Sequence, residues 1–137
     1  MSGEKELRLN IGGGREPLPG YETVDRKVGK EAYPLAYPDG VADEIRASHV
    51  LEHFPYEKTP AVLADWVRVL KPGGFLCLIA PFVFHQHRYP IDCWRFLPDG
   101  MKVLADIGGV TLIDAYLSKD NAKITDCVGI FEKGGIA

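Results

Sequence analysis

Side chains suited to acid–base chemistry are concentrated in one polar and aromatic segment, Pro81–Leu97. It contains His87, Asp92 and Arg95, which can exchange a proton or pair with an anion. A connecting segment of this length in a compact domain is usually functional. We therefore predict catalytic roles for these three residues, with His87 as the first candidate for a general base. Asp92 and Arg95 could equally form a structural pair.

The histidines also raise the question of a metal site. His49 and His53 form one closely spaced pair, and His85 and His87 form another. The two pairs could converge on a metal ion, since imidazole is a common ligand. The first pair would share a face only if residues 49–53 were helical, and we find no carboxylate or cysteine spacing that reinforces it. We therefore predict no metal site.

A run of three glycines follows directly on an alternating segment, Leu7–Ile11. This pattern predicts a strand that ends in a turn at Gly12, Gly13 and Gly14. Glycine allows a ligand to approach the backbone where a Cβ would intrude. A plain glycine turn after a strand is the alternative interpretation.

Polar side chains also follow the next predicted strands. Asp25 closes the strand Tyr21–Val24, and Ser48 and His49 end the strand Asp43–Ser48. In parallel sheets, ligands bind beyond the carboxyl ends of the strands. We therefore expect one crevice to collect these residues together with the glycine turn and Pro81-Phe82.

The remaining elements complete an α/β pattern. The apolar run Phe75–Ala80 predicts a central strand, because it is hydrophobic on both faces. The other predicted elements are helices at Thr59–Leu70 and about Pro98–Ile107, and closing strands at Val110–Leu117 and Ile124–Glu132. This order predicts a mostly parallel sheet with an antiparallel C-terminal hairpin, in a single domain spanning residues 1–137.

Five segments in this order resemble successive motifs of the class I S-adenosylmethionine-dependent methyltransferases. The segments read LNIGGG, LPGYETVDR, YPDGVADEIRASHVLEHF, RVLKPGGFLCLIAPF and YPIDCWRFLPDGM, and together they extend over roughly Leu7 to Ile107. The most similar branch is the small methyltransferase-11-like group. The resemblance implies a Rossmann-like methyltransferase fold and S-adenosyl-L-methionine as the cofactor.

The resemblance also implies roles at the cofactor. The glycine turn would lie against the methionine part, Asp25 would accept hydrogen bonds from the ribose hydroxyls, and Ala32 would lie near the adenine. Ser48 and His49 would line the methionine and the transfer site. For Asp25 a turn cap is the alternative, and His49 is about as well explained as a strand-end residue. The cofactor-binding set implied is Asn10, Gly12, Gly13, Gly14, Asp25, Ala32, Ser48 and His49.

Two departures from the family pattern concern helices. Only Gly12–Gly20, with two prolines, separates the glycine turn from the second strand, and only six residues precede the first strand. We therefore expect a minimal version of the fold that lacks the helices on one face. The first and third strands alternate apolar and polar residues, which predicts one polar sheet face. We expect a homodimer in which Arg8 or Arg46 meets Glu44 of the other chain.

Composition excludes several other classes of function. The formal net charge is -3 and no Lys/Arg cluster occurs, so we expect no nucleic-acid partner. The place of the Asn/Asp-Pro-Pro-aromatic motif of DNA amino-methyltransferases reads Ser48-His49-Val50-Leu51, which also disfavours base methylation. The first seven residues have no apolar stretch, and Pro81 interrupts the longest apolar run, so we expect neither a signal peptide nor a membrane span. The scattered cysteines indicate a reducing, cytoplasmic location.

Three functions are compatible with these patterns. The leading one is methyl transfer to a small polar or sugar-containing acceptor. The second is a catalytically inactive module that binds S-adenosylmethionine or S-adenosylhomocysteine as a partner or regulatory subunit. The third, an NAD-binding Rossmann fragment, is disfavoured because Asp25 follows Gly14 by only 11 residues, against about 20 in dinucleotide-binding units.

Overall fold

The computed structural model describes residues 6–12, 17–120 and 123–135. Gly13 and Gly14 of the predicted turn lie outside the described residues. The strands are β1 (Arg8–Ile11), β2 (Glu22–Val24), β3 (Ala42–Ser48), β4 (Leu70–Pro81), β5 (Thr111–Asp120) and β6 (Lys123–Glu132). The α-helices are α1 (Thr59–Val69) and α2 (Pro98–Gly108), and 3-10 helices occupy Arg26–Val28, Leu51–His53 and Tyr56–Lys58.

The six strands form one sheet in the order β2-β1-β3-β4-β6-β5. Strands β1 to β4 are parallel to one another, whereas β6 runs antiparallel to both β4 and β5. The predicted parallel sheet with an antiparallel C-terminal hairpin is therefore confirmed. No helix in the described ranges is both long and apolar enough to cross a membrane.

The hydrophobic core lies on the sheet face that both α-helices cover. A row of paired strand residues, Leu9, Ile45 and Leu76, is fully buried against Trp66 of α1 and Met101 of α2. The loop between β2 and β3 adds to the same side. Within it, the Ala32 carbonyl accepts a hydrogen bond of 2.9 Å from the Trp66 indole.

Strand β4 begins earlier than predicted. The sequence predicted a helix to Leu70 and a strand from Phe75, but the Lys71-Pro72-Gly73-Gly74 segment between them already belongs to the strand that starts at Leu70. Leu70 pairs with Ala42, and the Gly73 amide donates to the Lys133 carbonyl at 2.9 Å. Pairing on both sides therefore holds this proline- and glycine-containing segment in the sheet.

The opposite sheet face carries no helix within the described ranges. It is polar on β1 and β3, as the alternating pattern predicted, but apolar on β4 and β6, where Phe75, Cys77 and Ile130 lie. The charged residues on this face have partners within the chain. Arg8 contacts Glu6 at 2.7 Å, Arg46 donates to Asn10 at 3.0 Å, and Tyr21 donates to Glu44.

Candidate active site

The carboxyl ends of β1, β2, β3 and β4 lie along one edge of the sheet, because these strands are parallel and in register. Ile11 pairs with Val24 and with Ala47, and Ser48 pairs with Ile79. Consequently Gly12, Asp25, Ser48-His49 and Pro81, each of which ends or follows a strand, are neighbours at this edge. These residues therefore share one edge of the sheet, as the parallel strand order predicted.

Gly12 makes a tight turn at the end of β1. Its φ is +81°, a left-handed conformation that favours glycine. A Cβ at this position would lie 2.3 Å from Val50 Cγ2 and 3.2 Å from the Ser48 carbonyl oxygen. The glycine therefore lets the turn lie directly against residues 48–50, and its backbone is exposed at the sheet edge.

Asp25 follows β2 and caps a short 3-10 helix. Its Oδ1 accepts a hydrogen bond of 2.9 Å from the Lys27 amide. A carboxylate offers about four acceptor positions in all. The alternative considered from sequence, a turn cap, is thus present, and it is compatible with binding hydroxyl groups at the same carboxylate.

Asn10 and Ala32 have structural contacts that the sequence did not indicate. The Asn10 side chain is buried within β1, and its Oδ1 accepts a hydrogen bond from Arg46. It therefore faces the sheet surface opposite the helices. Ala32 packs against the core beside Trp66, and its carbonyl is already bonded to that indole.

A fully buried carboxylate, Glu52, lies among three histidines. Its Oε2 is 3.0 Å from His87 Nε2, 3.6 Å from His53 Nε2 and 3.9 Å from His49 Nδ1. Its Oε1 has no hydrogen-bond partner among the described residues. We call His49, Glu52, His53 and His87 the Glu52 cluster. The fourth histidine considered from sequence, His85, is exposed and stacks on Phe84 instead.

Local geometry brings His49 and Glu52 to the same side of the chain. Residues Leu51–His53 form a 3-10 helix that begins two residues after His49, and His49 Nδ1 lies 3.9 Å from Glu52 Oε2. His49 itself has a φ of +55° and is the one non-glycine residue with positive φ among those described. This backbone conformation costs about 1–3 kcal/mol, and strained residues of this kind cluster at functional sites.

Asp92 and Arg95 form a bidentate ion pair beside His87. The two guanidinium nitrogens of Arg95 contact the two Asp92 oxygens at 2.8 and 3.0 Å. This pairing holds the pKa of the Asp92 carboxyl well below its usual range. Asp92 also accepts a hydrogen bond from the His87 amide at 2.9 Å and lies 3.4 Å from His87 Nδ1. The pair therefore orients His87.

The segment after β4 is fastened over the chain that carries Glu52. The Cys93 amide donates to the Glu52 carbonyl at 2.7 Å, and the Trp94 indole donates to the Phe54 carbonyl at 2.8 Å. The Phe96 amide returns to the Pro81 carbonyl at 3.0 Å, and its ring is buried. These bonds bring His87 to the end of β3.

We compared the chain with models of known protein families and with curated protein sequences. The family model described as the methyltransferase domain, methyltransferase-11 type, matches residues 18–78. This range contains β2, β3 and α1, and with them Asp25, Ser48, His49 and Glu52. Comparison with curated protein sequences found no match.

The fold of the chain is similar to that of several solved structures. A 1,6-didemethyltoxoflavin-N1-methyltransferase of Burkholderia thailandensis, with 1,6-didemethyltoxoflavin and S-adenosylhomocysteine bound, has a TM-score of 0.73 at 15% identity, over 93% of this chain and 71% of that chain. A methyltransferase of Methanosarcina mazei has a TM-score of 0.72 at 16% identity, over 97% and 94% of the two chains. One from Archaeoglobus fulgidus has a TM-score of 0.64 at 15% identity, over 93% and 86%.

The chain has the class I methyltransferase fold. Together with the match to the methyltransferase-domain model, this supports S-adenosylmethionine as the cofactor.

The residues at the strand ends fit such a cofactor. Gly12 presents exposed backbone at the end of β1, where a side chain would fill the space beside Val50. Asp25 is half-buried at the end of the neighbouring strand. A backbone surface next to an acidic hydrogen-bond acceptor suits a ligand that carries ribose hydroxyls.

Glu52 was not among the site candidates predicted from the sequence, although the structure places it among three histidines. A signal was available, because His49, Glu52 and His53 have the His-x-x-Glu-His spacing of some zinc-binding helices. The expectation that no carboxylate reinforces the histidine pairs was wrong on this point. Glu52 is buried and lies next to His49, His53 and His87.

Proposed function

We propose that this domain transfers the methyl group of S-adenosylmethionine to a small polar or sugar-containing acceptor. The observation that carries the proposal is the position of the Glu52 cluster beside the glycine turn. Gly12 packs on Val50, the residue directly after His49. Polar groups able to hold an acceptor therefore adjoin the surface at which a methyl donor would bind.

The cofactor side consists of strand-end residues. Gly12, Asp25 and Ala32, with Gly13 and Gly14, are our proposed contacts for the methionine, ribose and adenine parts. Ser48 and His49 would lie between cofactor and acceptor, and Asn10 would support the turn from within β1. When bound, S-adenosylmethionine supplies an activated methyl group, so the protein's main task is to align the acceptor.

The acceptor side is formed by the segment after β4. His87 is the proposed group that receives the acceptor's proton, and its side chain is only 10% exposed. Asp92 and Arg95 act as positioning residues. Arg95 also donates to the carbonyls of Phe84 and His85 at 3.3 and 3.1 Å, which fixes the chain on both sides of His87.

A small polar acceptor matches the character of the site. The neighbour from Burkholderia thailandensis binds a small molecule, 1,6-didemethyltoxoflavin. In our chain the acceptor would meet imidazole and carboxylate groups rather than a basic surface, and the net charge of -3 opposes binding to nucleic acid. All three cysteines are free thiols, which supports a cytoplasmic location.

We also propose that the domain is a homodimer that pairs through the helix-free sheet face. Phe75, at 42% exposure, and the half-buried Ile130 form the apolar part of this face. A sheet open on one side buries little surface in so small a domain. Arg46 and Glu44 already have partners within their own chain. We therefore propose that the two subunits meet through the apolar part of this face rather than through the charge pairs expected from the sequence.

The proposal is tested by binding and turnover in the same variants. Wild-type protein should bind S-adenosylhomocysteine in calorimetry, and Asp25→Ala should weaken binding by roughly 10- to 150-fold, because a charged acceptor is worth about 1.5–3 kcal/mol. Asp106→Ala, on the exposed side of α2, is the matched control and should bind normally.

Turnover separates the acceptor side from the cofactor side. With an acceptor found by screening polar small molecules and sugars, His87→Ala and Arg95→Ala should keep cofactor affinity and lose methyl transfer. Normal turnover in both variants would remove this segment from the acceptor site. Absence of S-adenosylhomocysteine binding in the wild type would overturn the proposed function.

A further inference from the structure

The environment of Glu52 is unfavourable for an isolated carboxylate. Its side chain is 0% exposed, and none of the described arginines or lysines forms an ion pair with it. A buried charge without compensation costs several kcal/mol. The groups that face it are three imidazole nitrogens, and Oε1 faces no donor at all among the described residues.

The three imidazoles share one arrangement. In each ring the nitrogen remote from Glu52 faces an oxygen that can only accept a hydrogen bond. His49 Nε2 is 2.7 Å from Asp126 Oδ1, His53 Nδ1 is 2.6 Å from the Ile91 carbonyl, and His87 Nδ1 is 3.4 Å from Asp92 Oδ2. These outer oxygens can hold the ring proton on the outer nitrogen, which leaves the inner nitrogen available as a metal ligand.

In that tautomer the inner nitrogens direct lone pairs at the Glu52 carboxylate. Either a proton or a metal ion between these groups removes the repulsion, and a metal ion can serve all of them at once. Carboxylate or carbonyl acceptors behind the ring are also the usual outer partners of metal-bound histidines, because they fix the tautomer and orient the inner nitrogen.

We infer that His49, Glu52 and His87 bind a divalent first-row transition metal ion such as Zn²⁺. One ligand atom from each of these residues lies within 4.8 Å of the others. The distances from Glu52 Oε2 to His87 Nε2 and His49 Nδ1 are 3.0 and 3.9 Å. They bracket the roughly 3.3–3.6 Å between ligands expected for a tetrahedral ion at about 2.0–2.2 Å from each.

A second group of possible ligands, His53, His87 and Asp92, is the poorer site. Both Asp92 oxygens are already engaged by Arg95, so this carboxylate orients His87 from behind instead of binding the ion. His53 faces Glu52 Oε2 from 3.6 Å and is the nearest additional ligand. Three protein ligands leave positions for water or an acceptor.

This inference deepens the proposed function, since the ion would lie on the acceptor side, beside Gly12 and Val50. It makes His87 a metal ligand in place of the proton-accepting role proposed above, and the ion would then polarise the acceptor. Metal binding can nevertheless be measured without any acceptor, so the inference and the proposed function can fail separately.

The test is metal binding by the full chain, prepared metal-free with a chelator and titrated with Zn²⁺. We expect one Zn²⁺ per chain by elemental analysis, and visible absorption of low-coordinate Co²⁺ when that ion replaces zinc. Glu52→Gln and His87→Ala should weaken Zn²⁺ binding by at least tenfold, and Asp126→Asn by about 10- to 100-fold through the orientation of His49.

Two further variants distinguish the loss of a metal ligand from a folding defect as the cause of weaker Zn²⁺ binding. His49→Gly removes a ligand while it relieves the positive φ at this position, so it should fold and still bind Zn²⁺ at least tenfold more weakly. His85→Ala removes an exposed histidine of the same segment and should bind Zn²⁺ like the wild type. Equal affinity in wild type and His49→Gly, or no Zn²⁺ binding by the wild type, would overturn the inference. S-adenosylhomocysteine binding by metal-free protein would leave the proposed function standing in that case.

Discussion

At the residue scale, the glycine turn shows how one missing side chain shapes the site. Gly12 has both a left-handed backbone and no room for a Cβ, since Val50 Cγ2 would be 2.3 Å away. Gly40 has a similar φ of +64°, but nothing lies within 4 Å of its Cβ position. Substitutions at Gly12 would therefore meet both backbone strain and a steric clash, whereas substitutions at Gly40 would meet backbone strain alone.

We predict that Gly12→Ala lowers the free energy of unfolding by about 2–4 kcal/mol, from overpacking and backbone strain together. Gly40→Ala should cost only the backbone part, about 1–2 kcal/mol. In urea unfolding, Gly12→Ala combined with Val50→Ala should be less destabilised than the sum of the two single variants. Strictly additive effects would mean that Val50 is not the obstacle.

His49 combines an unusual backbone conformation with contacts at both ring nitrogens. A histidine in the left-handed region is uncommon, and here it directs Nδ1 at Glu52 while Nε2 meets Asp126. A residue that only ended the strand would need neither contact. The strained backbone therefore favours a role for His49 in the site over the strand-end alternative.

At the element scale, Asp43 joins the first and third strands. Its Oδ2 accepts a hydrogen bond of 2.8 Å from the Leu7 amide, and Lys71 lies 3.2 Å from Oδ1. The Leu7 amide and the Lys71 ammonium lower the pKa of the Asp43 carboxyl. The folded state therefore binds this proton less tightly than the unfolded chain does.

A lowered pKa stabilises the fold above the unfolded value of about 3.9, and this stability is lost as pH falls through the folded value. We predict that Asp43→Asn reduces the free energy of unfolding by about 1 kcal/mol at pH 7, a modest figure because the side chain is 33% exposed. Unfolding measured from pH 7 to pH 3 should show a constant difference from wild type down to about pH 5 and a shrinking one below pH 4.

The control for this prediction is Asp106→Asn. Asp106 is 73% exposed and contacts only Lys102, at 3.7 Å, among the described residues. Its substitution should change stability by less than about 0.5 kcal/mol at every pH. A difference for Asp43→Asn that persisted unchanged at pH 3 would show that its effect is not the loss of a charge.

At the scale of the whole molecule, the two sheet faces are unequal. One face packs against α1, α2 and the β2–β3 loop, whereas the other carries no helix in the described parts of the chain. Apolar side chains on β4 and β6 lie on this second face. Two such faces brought together would bury these side chains in a symmetric interface.

We predict that light scattering after size exclusion gives about twice the chain mass of 15.1 kDa. Phe75→Lys should yield monomers, because a charge would be placed in the apolar part of the open face. Val103→Lys, on the exposed side of α2 at 56% exposure, should stay dimeric. A wild-type monomer at tens of micromolar would contradict the dimer.

The sequence by itself determined the elements and their order. Alternating apolar residues in Leu7–Ile11 and the apolar run before Pro81 are local patterns, and each predicts a strand from its own composition. The parallel order then places Gly12, Asp25 and Ser48-His49 at one edge. These predictions succeeded because the pattern of apolar residues along a short segment shows whether a strand is buried on one face or on both.

Only the tertiary structure decided what surrounds the strand ends. Glu52 and His87 are 35 residues apart, and they meet because the segment after β4 folds back and is held by backbone bonds at Cys93 and Phe96. No pattern of apolar residues in the sequence predicts that this segment folds back onto the residues around Glu52. The burial of Glu52 is likewise a property of the packed molecule, since an acidic residue is ordinarily expected in solvent. The sequence contained the ligands of the inferred metal site, but their convergence depends on contacts between distant segments.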